Sequence, residues 1–257
     1  MNIIVQKFGG SSVATTEKLF GVCKHIIREY EKGNSVVVVV SAQGKTTDKL
    51  ISEEAEITKA PSRRSHDMLV SVGEQITVAK LSMCLDELGF KASPYLAWQL
   101  PIITENKREV TKLSSITHIA HGESRIKSIK TNKIKKDLKD GNIVIIAGFQ
   151  GLSENGEITT LGRGGSDTTA VALATALNAE KCDIYTDVDG VYNADPNKVA
   201  DAVKFETIGY DEMLNLANSG AKVLHNRCIE IAKNFNLPIV VRSTFNADIP
   251  GTVVGNY

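Results

Sequence analysis

Apolar residues along this chain follow two periodicities that alternate. Runs at 2–8, 35–41, 143–149, 183–186 and 238–242 are short, nearly continuous and rich in valine and isoleucine, the pattern of strands buried on both faces. Between them the apolar positions recur at helical spacing. One such segment covers about 16–32 and another 72–88, the second stopped by Gly89. A short helix is expected after Asn132, with Ile134 and Leu138 on one face and Gly141 beyond its end. An alanine-rich helix is expected over 166–178. A last one sets Leu224, Cys228, Ile231 and Phe235 on one stripe before Pro238. Strand and helix alternating in this way predict an α/β fold around a mainly parallel sheet. Ligands of such sheets sit beyond the carboxyl ends of strands, and the polar, glycine-rich segments fall there. Gly9, Gly10, Ser11 and Ser12 follow the first strand, 41–48 the second, and 148–151 the one before the stretch TTLGRGGSD.

Composition narrows the class. The 257 residues carry 30 basic and 30 acidic side chains, so a global electrostatic grip on nucleic acid is not expected. A chain of this length buries one large core or two lobes without needing disulfides or metals. Cys23, Cys84, Cys182 and Cys228 are far apart, form no CxxC pair and read as reduced core residues. MNIIVQKFGG reaches its glycines too early for a signal peptide. No apolar run approaches the ~20 residues of a membrane helix. A soluble, cytoplasmic protein without a membrane partner is expected. The segment 125–139 carries Arg125, Lys127, Lys130, Lys133, Lys135, Lys136 and Lys139 against Asp137 alone, and reads as a solvated face.

Two familiar nucleotide fingerprints are absent. GKT at 44–46 lacks the first glycine of a P-loop, since that position is Val39, and GRGGSD fails GxGxxG at Asp167. What stands in their place is a set of turns. In KFGGSS, Lys7 ends a strand before a glycine pair whose amides can approach an anion. In SAQGKTTD, Ser41, Thr46 and Thr47 line a second turn, where Thr47 or Asp48 could equally serve as a plain cap. In SVGEQ, Glu74 opens a helix, a position that also suits simple dipole complementarity. In LGRGGSD, Arg163 offers a planar fork suited to a carboxylate, Gly164 and Gly165 clear space, and Ser166 or Asp167 is expected to cap the helix. TDVDGVYNADPN is a strand followed by a loop with Asp187, Asp189, Asn193 and Asp195, whose spacing is not that of a calcium loop. SGAKVLHNR sets Lys222 at an expected helix start, unfavourable to the dipole unless an anion is held there. His25, His66, His118, His121 and His225 show no metal-ligand spacing, and no GxSxG elbow is present.

Taken together and in order, KFGGSS, VVVVVSAQGKTTD, SVGEQ, AGFQG, TTLGRGGSDTTA, YTDVDGVYNADP and SGAKVLH resemble the aspartate kinases of the amino-acid kinase superfamily over essentially the whole chain. The resemblance implies a three-layer αβα sandwich with two lobes, and transfer of the ATP γ-phosphate to the side-chain carboxylate of L-aspartate. The product would be 4-phospho-L-aspartate, the first step toward lysine, threonine and methionine. Lys7, Phe8, Gly9 and Gly10 would then hold the ATP phosphates, with Mg²⁺ carried mainly by those phosphates and no metal site in the protein. Ser41, Thr47, Glu74, Arg163, Gly164, Gly165 and Ser166 would bind aspartate, Glu74 its ammonium and Arg163 its α-carboxylate. Lys7, Asp167 and Lys222 would be catalytic. Thr186, Asp187, Tyr192, Asn193, Asp195, Pro196, Asn197, Lys222 and Val223 would flank the nucleotide.

The resemblance further implies a homodimer. Relatives usually continue into paired regulatory ACT domains, whereas GTVVGNY falls about where the catalytic part ends, so 1–257 is expected to be a catalytic domain without them. Departures are a longer, more polar segment at 101–123 and LHNRC, which lacks the usual proline after its histidine. Glutamate, acetylglutamate and uridylate kinases are the enzymatic alternatives, and a catalytically silent ligand sensor the non-enzymatic one. Glu74 with Arg163 favours a free α-amino acid; Lys7, Arg163, Asp167 and Lys222 together argue against a sensor.

Overall fold

A computed structural model describes residues 1–105, 124–196, 198–199, 201–220, 223–246 and 248–257. Lys222, Asn197 and most of the 101–123 segment lie outside the described residues. In chain order the strands are β1 (Ile3–Phe8), β2 (Ser35–Val40), β3 (Ala92–Tyr95), β4 (Ile102–Glu105), β5 (Arg125–Ile129), β6 (Ile143–Ala147), β7 (Gln150–Ser153), β8 (Ile158–Thr160), β9 (Lys181–Thr186), β10 (Thr207–Gly209), β11 (Ile239–Ser243) and β12 (Thr252–Gly255). The helices are α1 (Thr16–Glu31), α2 (Thr46–Ile57), α3 (Arg63–Val70), α4 (Val72–Glu87), α5 (Asn132–Lys139), α6 (Gly165–Leu177), α7 (Tyr210–Asn218) and α8 (Asn226–Phe235).

Eight strands form the central sheet in the order β10-β12-β11-β9-β1-β2-β6-β3. Every pairing in it is parallel except β11 with β12. The period of two within β2 shows why its run of valines is continuous. Val37 and Val39 enter one core with Ile134 of α5, Leu173 of α6 and Ile229 of α8. Val36, Val38 and Val40 enter the other with Leu19 of α1 and Leu81 and Leu85 of α4. Helices on both faces of one sheet make the three-layer αβα sandwich expected. The cysteines divide between the same two cores, Cys182 and Cys228 in the first and Cys23 and Cys84 in the second, and all are unpaired and buried.

Departures from expectation have local causes. The strand expected to reach Phe149 ends at Ala147, because Phe149 sits at φ 66°, a left-handed conformation that no strand continues. Beyond it β7 begins a second sheet, ordered β5-β4-β7-β8, which the sequence pattern did not announce. The basic segment splits into β5 and α5. Ile134 and Leu138 of α5 are buried, and Lys133 lies over the Tyr95 ring at 4.4 Å. The expectation of no membrane-length apolar helix is also corrected. The stretch Arg63–Glu87, 25 residues through α3 and α4, meets that test by length and composition, but 56% of its apolar window is buried inside the protein. It is a core helix.

Candidate active site

The carboxyl ends of β1 and β2 meet the amino ends of α2, α4 and α6. Lys7, the penultimate residue of β1, is 9% exposed, and its Nζ lies 2.6 Å from Oδ1 of Asp167 in the first turn of α6. The two are close enough for an ion pair yet off the line of a hydrogen bond. A carboxylate there also complements the positive end of the helix. Ser166 and Asp167 do not cap α6, as was expected. They lie inside it, and the cap is Gly164 at φ 70° with no side-chain hydrogen bond. Gly165 donates its amide to the Gly162 carbonyl at 2.9 Å, which leaves the next amides, those of Ser166 and Asp167, for a ligand or water. The turn between β2 and α2 corrects the capping expectation as well, since its cap is Lys45, again without a side-chain bond.

Glycine is required at several approaches. A Cβ on Gly10 would stand 2.7 Å from the carbonyl oxygen of Ala42, so the turns after β1 and β2 interlock only through glycine. Gly44 donates its amide to the Gly10 carbonyl at 2.9 Å, fixing the same contact. A Cβ on Gly164 would stand 2.5 Å from that of His225, and one on Gly148 would stand 2.7 Å from Ser166 Oγ.

Lys7, Ser41, Thr47, Glu74, Phe149, Gly162, Gly164, Gly165, Ser166 and Asp167 line one cleft of about 240 Å³. Glu74 is 3% exposed. Its Oε1 accepts the Ala42 amide at 3.0 Å, while Oε2 has no hydrogen-bond partner among the described residues. Burial pushes the Glu74 carboxyl up to about 7, against the pull of the Ala42 amide. Glu74 lines the cleft, and a buried carboxyl with a spare oxygen at a polar wall is a site for a cation or a proton donor. Phe149, which the sequence reading left without a role, brings an aromatic ring to the wall at a left-handed φ, and its amide donates to Thr169 Oγ1 at 3.1 Å. The only signal for it was the pair of glycines in GFQG, Gly148 directly before it and Gly151 two residues after it.

A second cavity, about 670 Å³, lies past the carboxyl end of β9. Thr186, Asp187, Tyr192, Asn193, Asp195, Pro196 and Val223 line it together with Gly190, Leu216 and Gly220. Most residues expected to flank a nucleotide are thus gathered in one cavity of suitable size. Its loop is braced locally. Tyr192 donates its hydroxyl to Asp189 Oδ1 at 2.9 Å, and Lys204 Nζ stands 3.4 Å from Asp189 Oδ2. Desolvation is the largest single influence on Asp189 and raises its pKa, but the Tyr192 hydroxyl and the Lys204 ammonium together outweigh it and hold the carboxyl below its usual range.

Some expected residues are placed elsewhere. Phe8 is fully buried, stacked on Tyr185 at 4.6 Å, and its carbonyl accepts the Ser41 amide, so its side chain belongs to the core and lines neither cavity. Gly9 donates its amide to the Tyr185 carbonyl at 3.3 Å. Arg163 is exposed and does not itself line the cleft, although Gly162 and Gly164 on either side of it do.

Comparison with known proteins agrees with this geometry. The model of the amino acid kinase family matches residues 2–243. An aspartokinase of Geobacillus stearothermophilus is 54% identical over 254 residues, covering 99% of this chain and 59% of the relative. The crystal structure of aspartate kinase from Synechocystis superposes with a TM-score of 0.83 at 46% identity, over 99% of this chain and 40% of that one. E. coli aspartokinase III, in complex with aspartate and ADP, gives 0.84 at 27% identity, over 99% and 65%. The chain therefore spans about three-fifths of the length of the curated relative. A match that begins at the residue before β1 and runs to the end of β11 cannot arise from a single shared turn, and the chain belongs to the amino acid kinase family.

Proposed function

We propose that this chain is the catalytic domain of an aspartate kinase, which transfers the γ-phosphate of MgATP to the side-chain carboxylate of L-aspartate and forms 4-phospho-L-aspartate. The observation that carries the reading is Glu74, buried in the same cleft as the Lys7–Asp167 pair with an Oε2 that has no hydrogen-bond partner among the described residues. That oxygen suits the α-ammonium of a free amino acid, which acetylglutamate and uridylate lack. Ser41, Thr47 and Ser166 supply polar atoms around it, and Arg163 is assigned the α-carboxylate from its turn between two cleft glycines. Geobacillus stearothermophilus aspartokinase at 54% identity and the aspartate and ADP complex of E. coli aspartokinase III support the same substrates.

The chemistry asks little of an acid or base. A side-chain carboxylate of pKa ~3.9 is ionised at neutral pH, so the nucleophile needs no deprotonation. What remains is alignment of the acceptor with the phosphoryl group and neutralisation of charge on the oxygens in motion. Lys7 faces that charge, Asp167 holds the Lys7 ammonium in place, and Lys222 is assigned the second ammonium. The nucleotide is assigned to the 670 Å³ cavity, with Mg²⁺ entering as part of the substrate. A homodimer and a cytoplasmic location belong to the same proposal.

The test is a hydroxamate-trapping assay with MgATP across aspartate, glutamate and acetylglutamate. Acyl phosphate is expected with aspartate. Equal or greater trapping with either of the others would displace this reading.

A further inference from the structure

The turn 161–165 supplies three glycines of the cleft wall and carries Arg163. Gly162 at φ 77° and Gly164 at φ 70° give it little intrinsic preference for one shape, so its form must be set from outside. Charged side chains on two separate helices do this. Asp67 of α3, 1% exposed, accepts the Thr160 hydroxyl at 2.6 Å on the residue just before the turn. It is itself paired with Arg63 at 3.3 Å, and Arg63 donates to Ser124 Oγ at 2.5 Å. Arg227 of α8 donates through Nη1 to the carbonyl of Leu161 at 3.2 Å and to that of Ser124 at 3.4 Å. His225, the residue capping α8, packs so closely on Gly164 that a side chain there would collide with it.

We propose that Arg227 is a positioning residue for the amino-acid cleft. By tying the first carbonyl of the turn to the carbonyl of Ser124, it sets where Arg163 and the cleft glycines stand, and so the affinity for the carboxylate end of the substrate, without touching that substrate. The residue type fits the task. A guanidinium directs its donors from one rigid plane, whereas a lysine ammonium on a flexible stem does not fix geometry in the same way. The inference rests on the functional reading above for the identity of the substrate. A purely structural arginine would behave differently, since its loss would lower the melting temperature and the active fraction while leaving the KM of the remaining enzyme unchanged.

The experiment measures kcat, the KM for aspartate, the KM for MgATP and the melting temperature in Arg227→Met, Arg227→Lys and Thr160→Val. Loss of hydrogen bonds from a charged donor should raise the aspartate KM about tenfold or more in Arg227→Met, with kcat and the MgATP KM within about twofold of wild type. Arg227→Lys should recover part of the loss. Thr160→Val, which loosens the other hold on the same turn, should move the aspartate KM in the same direction. If Arg227→Met does not fold, Thr160→Val and Arg227→Lys decide. An aspartate KM unchanged in the folded variants, or a parallel rise in both KM values, would overturn the inference. A wild-type chain inactive on aspartate would overturn the functional reading and this inference with it, whereas an active wild type with unmoved KM values would overturn this inference alone.

Discussion

The cleft beside Lys7 and the cavity beside Thr186 open from the same end of one parallel sheet, yet they are held in different ways. The cleft, about 240 Å³, is walled by helix starts and glycine turns whose polar atoms are tied to distant parts of the chain. Glu74 reaches Ala42, Asp67 reaches Thr160 and Arg227 reaches Leu161. The cavity, about 670 Å³, is bounded by a loop whose aspartate is braced by near neighbours, Tyr192 and Lys204, with Val191 to Thr252 and Lys204 to Pro250 as its longer ties. Long-range ties fix a few atoms closely, as phosphoryl transfer and amino-acid selection require. Short-range bracing suffices to embrace a larger ligand whose reactive end is fixed by the other site. Substitutions in the first region should therefore change turnover or amino-acid affinity, and those in the second nucleotide affinity alone.

The largest expected effect belongs to Lys7→Ala. Removing one preorganised cation should lower kcat by about 10²–10³, with the MgATP KM changed much less. Steady-state assays decide it, and a variant with near-wild-type turnover would break the division between the two regions at its centre.

Next comes Glu74→Gln, which keeps an acceptor for the Ala42 amide but removes the charge. The aspartate KM at pH 8 should rise about tenfold or more, and a variant with wild-type KM would remove Glu74 from the substrate site. The pH dependence follows from the same carboxyl, held at about 7 rather than 4.5 by burial. A group that binds its proton more tightly in the folded state contributes stability that is present at low pH. That contribution is lost as pH rises from 4.5 through about 7, by at most about 3 kcal/mol. Denaturant melts should show this fall in the wild type and not in Glu74→Gln. Over the same range the wild-type aspartate KM should rise as pH drops below 7 and Glu74 takes up its proton.

The smallest effect is expected from Tyr192→Phe. Losing the hydroxyl bond to Asp189 should raise the MgATP KM by about two- to fivefold while kcat and the aspartate KM hold. A larger change in the aspartate KM would show that the loop and the cleft are not separable.

Much of the fold was legible because burial on two faces writes valine and isoleucine into nearly unbroken runs. β1, β2, β6 and β11 carry that mark, and β9, with the sequence KCDIYT, shows it only in part. The small sheet was not legible. Arg125–Ile129 alternates only partly, and Ile102–Glu105 finds its partners in Arg125–Ile129 and Gln150–Ser153, which no local pattern reveals. The helix caps failed for a related reason. Ser166 and Asp167 have the right chemistry for a cap, but the left-handed conformation of Gly164 takes that position and frees their amides for the cleft. At the site, it was the resemblance rather than local pattern that grouped Lys7, Glu74 and Asp167, and the structure lines one cleft with all three. Phe149 escaped because an aromatic residue at positive φ is disfavoured by every local rule and is held only by its surroundings. Phe8 was drawn in by sitting next to Lys7, although alternation along a strand sends consecutive side chains to opposite faces.

The four cysteine thiols, two in each core, have a practical consequence. Each is sheltered and held in its unreactive thiol form, with Cys23, for example, pushed up to about 12 by burial, so an alkylating reagent at neutral pH has nothing to attack until packing loosens. Mapping which thiols are tagged first would report which side of the β-sheet breathes, giving the untouched native chain an internal two-channel gauge of its own opening.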